Sequence, residues 1–123
     1  MKTASELEKL DRLATDAEND FWIQAGETIV SLLKEKGECV NGVYSVDVEK
    51  LFGKDCATLY TTTIENDGVS GSEGSDHEWD LEELYVMEND VLSIQCEGYD
   101  FSLSDFERDS AILLARKLEE YHA

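Results

Sequence analysis

Carboxylates alternate with other residues in the segment 76–82, and this spacing could serve charge recognition or metal binding. The four acids are Asp76, Glu78, Asp80 and Glu82. In an extended chain alternate residues share one face, so the acids would form a row with charges about 6–7 Å apart. A DNA strand carries its charges at a comparable order of spacing, so this row could imitate a nucleic-acid backbone.

The residues between these acids would occupy the other face of the strand. They are His77, Trp79 and Leu81. An exposed Trp79 beside carboxylates would be a good anchor for a partner protein, whereas a buried one would fix the strand in place. With one acid added from the preceding segment, the predicted binding residues are Glu73, Asp76, Glu78, Trp79, Asp80 and Glu82.

The same segment could instead form a helix over 76–87, because Ser75 and Glu78 fit a capping box. We favour a strand, since Tyr85 and Val86 are typical strand residues and a hairpin follows them. A bulge near 82–83 would then direct the apolar side chains on both sides of it toward the core. Those side chains are Trp79, Leu81, Leu84 and Val86.

A metal site has little support in the sequence. An EF-hand loop has acids at its first, third and fifth positions and glycine at the sixth, and no placement of Gly68, Gly71 or Gly74 satisfies this pattern. A transition metal needs several His or Cys ligands, but the chain has two His and three Cys without a CxxC pair. We predict no metal and no cofactor, with weak binding of calcium or magnesium by clustered carboxylates as the alternative.

Catalysis is predicted to be absent. Cys96 shares the strand parity of Leu92 and Ile94, which indicates a core position where a thiol stays protonated and inert. The sequence contains no GxSxG, no HExxH and no phosphate-binding glycine loop with its lysine. Each of the three cysteines is expected to be a reduced, packed thiol.

Charge is distributed unevenly along the chain. The formal net charge is −19, from 29 acids and 10 bases. Residues 55–107 contain no Lys or Arg, so most of the excess negative charge lies in this segment. Such a segment repels nucleic acid and membrane surfaces and attracts basic proteins or divalent cations. The alternative is a small soluble domain whose acidity serves only solubility, with its function in a ligand pocket or oligomer face that the sequence does not reveal or in weak binding of divalent cations.

The helices are indicated by apolar spacing and capping residues. Residues 3–36 have a helical stripe with a break predicted near 15–20, so they form either two helices or one long bent helix. Capping boxes are predicted at Thr3 with Glu6 and at Thr15 with Glu18. Gly37 follows Lys34 and Lys36 and is predicted to end the helix, as a residue that tolerates left-handed backbone. A last helix is predicted after a Ser104–Glu107 capping box. Its apolar face comprises Ala111, Leu114, Ala115, Leu118 and Tyr121.

The strands are indicated by alternation and turn residues. Asn41-Gly42 predicts a tight hairpin, followed by a strand over 44–48 and either its continuation or a helical turn ending at Gly53. Further strands are predicted over 56–64, in a hairpin over 84–96 around Asn89-Asp90, and over 99–103. Residues 66–76 are predicted to form an exposed, mobile loop, with order returning only at Trp79 or Leu81.

The order of these elements predicts an α+β fold in a single domain, 1–123, with the helices on one face of an antiparallel sheet of four to five strands. No apolar run is long enough to span a bilayer and no secretory signal is visible, which predicts a cytoplasmic protein. The predicted function is a non-catalytic acidic protein that binds a basic protein, of the inhibitor, immunity-protein or DNA-mimic type. Direct nucleic-acid binding and membrane binding are not expected.

Overall fold

The protein folds as helices packed on one face of an antiparallel sheet, as the sequence predicts. The computed structural model describes residues 3–13, 18–53, 58–62 and 76–121. The helices are α1 Ala4–Leu13, α2 Glu18–Lys36, α3 Val48–Phe52 and α4 Arg108–Glu120. The strands are β1 Glu38–Val40, β2 Val43–Val46, β3 Thr58–Thr62, β4 Asp76–Met87, β5 Leu92–Cys96 and β6 Tyr99–Phe101. A 3₁₀ turn, Leu103–Asp105, precedes α4.

The centre of the sheet is β4, which pairs with three other strands. The strands follow the order β1-β2-β4-β5-β6, and β3 pairs separately with the first part of β4. Residues 76–80 of β4 lie opposite β3, and residues 84–87 lie opposite β2. Six strands therefore form the sheet where four to five were predicted, because the long β4 accommodates one partner more than a single hairpin series would.

Strand structure begins earlier in β4 than the sequence predicts. Order was expected to return only at Trp79 or Leu81, but Asp76 is already paired with Thr62. Pairing with β3 extends the order of β4 back to Asp76, and buried Leu59 of β3 lies opposite Trp79 in the same strand pair. The strand interpretation of 76–87 is confirmed, whereas the loop predicted for 66–75 lies outside the described residues.

The capping box predicted at Thr3 and Glu6 is confirmed, and one of the two alternatives for residues 48–53 is decided. The Thr3 hydroxyl accepts from the Glu6 N–H at 3.1 Å, and the Glu6 carboxylate accepts from the Thr3 N–H at 3.0 Å. The 48–53 segment takes the helical alternative, capped by Asp47, whose carboxylate accepts from the Glu49 N–H at 2.9 Å. Within the break predicted near 15–20, residues 18–20 are helical and belong to α2, whereas residues 15–17, with Thr15 of the second box, lie outside the described residues.

The start of α4 differs from the prediction. The capping box was expected at Ser104 and Glu107, but the helix begins at Arg108 with Glu107 at its N-cap, and no side-chain hydrogen bond caps it. The pairing lies two residues earlier, where the Ser102 N–H donates to Asp105 at 2.8 Å and closes the 3₁₀ turn. Ser104, the predicted N-cap, lies inside this 3₁₀ turn and does not cap α4.

Two tight turns confirm the predicted hairpins. Asn41 and Gly42 both have positive φ, 53° and 78°, as a two-residue turn between β1 and β2 requires. At the β4–β5 turn, Asp90 has φ 66°, and the Asn89 side chain accepts from the Val91 N–H. Lys34 in the last turn of α2 pairs with the Asp90 carboxylate, which joins this turn to the helices.

The core lies between the helices and the inner face of the sheet, which we define as the strand face toward the helices. The α4 residues predicted to be apolar and inward are all buried. They contact a cluster that includes Phe21, Ile29, Leu33, Leu84, Val86 and Ile94. Cys96 is buried as predicted, but Cys39 is exposed because β1 is at the edge of the sheet, so the expectation of a packed thiol is wrong there. Cys56 lies outside the described residues.

Gly37 ends α2 for a different reason than the sequence suggested. Positive φ occurs at Gly42, Gly53 and Gly98 but not at Gly37. A Cβ at Gly37 would instead lie 2.5 Å from the Leu33 carbonyl oxygen and 3.0 Å from that of Ser45. Glycine is therefore required by the close approach of β2 to the end of α2.

Replacing Gly37 by Ala should lower the free energy of unfolding by roughly 2 kcal/mol or more, since the backbone atoms that its Cβ would meet cannot move aside cheaply. The matched control is Gly26→Ala inside α2, where a Cβ would meet nothing within 4 Å. That change should raise stability by about 0.5–1 kcal/mol, because Ala favours a helix more than Gly does. Urea unfolding of both variants measures the difference, and effects of the same sign would contradict it.

Candidate functional site

The acidic row of β4 is interrupted by a β-bulge at the predicted place. Leu81 lies opposite Cys96, but Glu83 lies opposite Gln95, so β4 has one extra residue between these pairs. Leu81 before the bulge and Leu84 after it are both buried. The bulge therefore lets Glu82 and Glu83, which are consecutive, both remain exposed while the apolar side chains keep facing the core.

Cross-strand neighbours extend the acidic row into a cluster. Glu97 lies in the β5–β6 turn, and Asp100 lies opposite Gln95. Both are exposed, as are Glu78, Asp80, Glu82 and Glu83 of β4. We define the acidic cluster as Glu78, Asp80, Glu82, Glu83, Glu97 and Asp100. The sequence prediction omitted Glu83, Glu97 and Asp100, because their proximity depends on the bulge and on strand register.

Two carboxylates of the acidic cluster also hold the backbone together. Glu82 accepts from the Gly98 N–H at 2.8 Å, and Glu97 accepts from the Asp80 N–H at 3.0 Å. These bonds join the bulged part of β4 to the β5–β6 turn, where strand pairing is irregular. Glu82 thus has a structural role besides any role in binding, whereas no such bond is recorded for the side chains of Glu78 and Glu83 among the described residues.

Charge is segregated between the two layers of the fold. Every described Lys and Arg lies on a helix, and the helices carry eight bases against eleven acids. The six described strands carry seven acids and no base. Three of the four described salt bridges stay within the helical layer, since Arg12, Arg108 and Arg116 all pair with acids of α1, and the fourth joins Lys34 to Asp90 in the β4–β5 turn. The strand carboxylates are therefore compensated by no cation within the described sheet.

Trp79 lies on the opposite face of β4 from the acidic cluster. It is half-buried, and its ring is 4.8 Å from that of Phe101 and 5.9 Å from that of Tyr99, measured between centroids. Phe101 contacts Phe106 in turn, at 5.2 Å. Trp79 therefore fixes the end of the sheet to the core, and only its partly exposed edge is accessible beside Tyr99.

For Asp76, another of the predicted binding residues, the structure gives the strand pairing but not the exposure of the side chain. Asp76 and His77 lie at the start of β4, opposite Thr62 and Thr61 of β3, and Glu73 falls outside the described residues. Glu78 and Asp80 are adjacent acids on one face, as the alternation predicts, and Glu82 continues the row at the bulge. The structure thus brings together three of the six predicted residues by side-chain position.

Two observations on the described residues concern the thiol chemistry and metal binding considered from the sequence. Burial raises the pKa of the Cys96 thiol from an ordinary value of 9.0 to about 12, with further contributions from Glu97 and Glu82. Within the described ranges, no three His, Cys, Asp or Glu side chains are arranged to hold a metal ion. No helix among these residues is long and apolar enough to cross a membrane.

Two clefts lie on the helical side of the molecule. The larger has a volume of about 420 Å³ and is lined by Asp11, Trp22 and residues 104–109. Its arginine, Arg108, is already paired with Asp11 at 3.0 Å and lies over the Phe21 ring. In the second cleft Arg116 and Arg12 both pair with Glu8. An anionic ligand would have to break these pairs, so neither cleft is a better candidate than the sheet.

No protein-family model, curated protein or solved structure was found to match this chain. The function must therefore be argued from the charge distribution and the exposed surface of the fold.

The structural role of Glu82 can be separated from its charge. Glu82→Ala should lower the free energy of unfolding by roughly 0.5–1 kcal/mol, because the Gly98 N–H loses its acceptor. The neighbouring Glu83→Ala removes the same charge from an exposed position and should change stability by less than about 0.5 kcal/mol. Thermal unfolding of both variants measures this, and equal losses would assign no structural role to the Glu82 carboxylate.

The two described thiols should differ in reactivity. In a Cys56→Ser background at mildly alkaline pH, a thiol reagent should label Cys39 in the native protein and Cys96 only after unfolding. In the native protein the raised pKa keeps the Cys96 thiol protonated at pH values where an ordinary thiol loses its proton. Unfolding therefore releases a proton above pH 9.0. Stability should consequently fall as pH rises from there toward about 12. This part of the fall should be absent in Cys96→Ala, and its persistence there would contradict the assignment.

Proposed function

We propose that this protein is a non-catalytic binding protein that engages a basic protein through the acidic cluster. The observation that carries the proposal is the segregation of charge, with every described cation on the helices and none on the strands. Carboxylates without nearby cations keep their field directed into solvent, where a basic surface can neutralise it. An inhibitor or immunity protein, or a DNA mimic that occupies a nucleic-acid groove, has this requirement.

The same charge argues against other partner classes. Nucleic acid and anionic membrane surfaces would be repelled by a net charge of −19. Direct binding of either is therefore not part of the proposal, which places the protein in the cytoplasm beside its partner. Screening confines the attraction to about 8–10 Å at ordinary salt, so the exposed strand carboxylates contribute most once the partner is close.

Repulsion among the carboxylates of β4 lowers the stability of the free protein, and this loss supports a role in binding. Glu78, Asp80 and Glu83 follow one another along β4 and repel one another, and this repulsion lowers stability without an evident structural return. Solubility alone would be served equally if the bases were spread over both layers, but the described bases all lie on the helices. In the proposed complex the partner supplies the missing cations and converts this repulsion into attraction.

The proposal is tested with two triple variants that change net charge equally. One neutralises the sheet at Glu78→Gln, Asp80→Asn and Glu83→Gln. The other neutralises exposed helix positions at Glu27→Gln, Glu35→Gln and Glu120→Gln. Each protein is used as bait at low and at high salt, and the recovered proteins are identified. We expect basic proteins at low salt with the native chain and the helix variant, and their loss with the sheet variant or at high salt.

Two outcomes would contradict the proposal. Recovery of no basic protein at low salt would remove the evidence for a partner. Equal recovery by the two triple variants would show that net charge, and not the sheet face, determines association, as expected if the acidity serves only solubility. For an identified partner, association should slow about tenfold or more in the sheet variant alone.

A further inference from the structure

The face of the sheet that carries the acidic cluster also carries exposed apolar side chains. We call the strand face away from the helices the outer face. Val40, Met87 and Val91 are 55%, 42% and 54% exposed, and Val43 is half-buried among them. Val40, Met87 and Val91 are three of the five large hydrophobic side chains exposed among the described residues. Their concentration on one face is the observation that requires an explanation.

Strand register places these four residues in one row across the sheet. Val40 lies opposite Val43, and Val43 lies opposite Met87. The Met87 N–H donates to the Val91 carbonyl at 3.1 Å, which makes these two residues neighbours across the β4–β5 turn. We define the apolar row as Val40, Val43, Met87 and Val91. It crosses β1, β2, β4 and the start of β5 at the end of the sheet that carries the two hairpin turns.

The apolar row does not belong to the core. Tyr44 and Val86, the neighbours of Val43 and Met87, point to the inner face, so strand alternation turns the row outward. The described helices pack on the inner face, and no described element covers the row. Contiguous exposed apolar side chains on an otherwise charged protein are typical of a surface that contacts another protein.

The outer face therefore changes character along β4. After the apolar row comes a polar row that contains Ser45, Tyr85 and Ser93, paired across the strands. Tyr85 accepts from the Gln95 side chain at 3.4 Å. The acidic cluster follows at the other end. The distance from Met87 to Asp80 along the strand is about 20–23 Å.

These dimensions fit a macromolecule better than a small ligand. The apolar row and the acidic cluster lie about 20 Å apart on the described strands, a separation that a macromolecule spans and a small ligand does not. The outer face matches one side of a modest protein interface, with an apolar part, a tyrosine and a charged margin. We infer that the apolar row and the acidic cluster form one bipartite interface, whose partner is a protein surface with an apolar patch beside its cations. This inference rests on the proposed function.

A second copy of the chain is the main competing occupant. It would bring two strongly acidic molecules together, with self-repulsion opposing the gain from a small apolar row. A basic partner gains binding free energy from the apolar row and from the acidic cluster at once. We therefore assign the apolar row to a contact with a different protein. Self-association remains a measurable outcome of the test.

The test uses two synthetic helical peptides of equal length and equal positive charge. One has lysines with leucines on a single face, and in the other every leucine is replaced by glutamine. Affinities are measured for the native chain, the sheet and helix charge variants defined above, and an apolar-row variant with Val40→Thr, Met87→Gln and Val91→Thr. The single change Val40→Thr serves in its place if the triple variant fails to fold. Sedimentation velocity of the chain alone reports self-association.

The native chain should bind the lysine–leucine peptide about tenfold more tightly than the lysine–glutamine peptide. The apolar-row variant should lose that preference and keep its affinity for the lysine–glutamine peptide. The affinity of the sheet charge variant should be lower than that of the native chain, by the same factor for both peptides. Retention of the leucine preference in the apolar-row variant, or dimerisation of the native chain that the variant abolishes, would overturn the inference and leave the proposed function intact. If the sheet charge variant and the helix charge variant bind each peptide with the same affinity, the proposed function itself is overturned.

Discussion

The position of β4 at the centre of the sheet determines both faces of this protein. Because β4 pairs with β2, β3 and β5, its pleat sets which residues of its neighbours point inward. Its own sequence alternates apolar side chains with carboxylates, and a buried carboxylate without a partner would cost several kcal/mol. The apolar side must therefore face the helices, and the acids must face solvent. The charge on the outer face is thus a consequence of the same alternation that builds the core.

The bulge lets this alternation survive a change of register. Trp79 and Leu81 face inward before it, and Leu84 and Val86 face inward after it. Without the extra residue, one half of β4 would present its acids to the core. The sequence contained this information, because two consecutive acids between two correctly spaced apolar pairs can be reconciled with a buried face only by a bulge.

Local patterns revealed more of the fold than of the candidate site. The Asn41-Gly42 turn and the Thr3 cap depend on neighbouring residues, so they could be predicted directly. The partner of β3, the acids at Glu97 and Asp100 and the apolar row depend on which strands lie side by side. No local pattern encodes that pairing, so the prediction recovered a single acidic strand where the structure has a two-dimensional surface with an acidic end and an apolar end.

Segregated charge also gives the molecule an electric dipole moment directed across its two layers. The described helices carry eight bases against eleven acids, whereas the described strands carry seven acids and no Lys or Arg. A positively charged surface therefore exerts a torque on the protein as well as an attraction. Within a screening length, that torque rotates the sheet toward the surface before any atoms touch. Collisions that begin in the wrong orientation can then be corrected, and immobilisation on a cationic support should be oriented by the same effect.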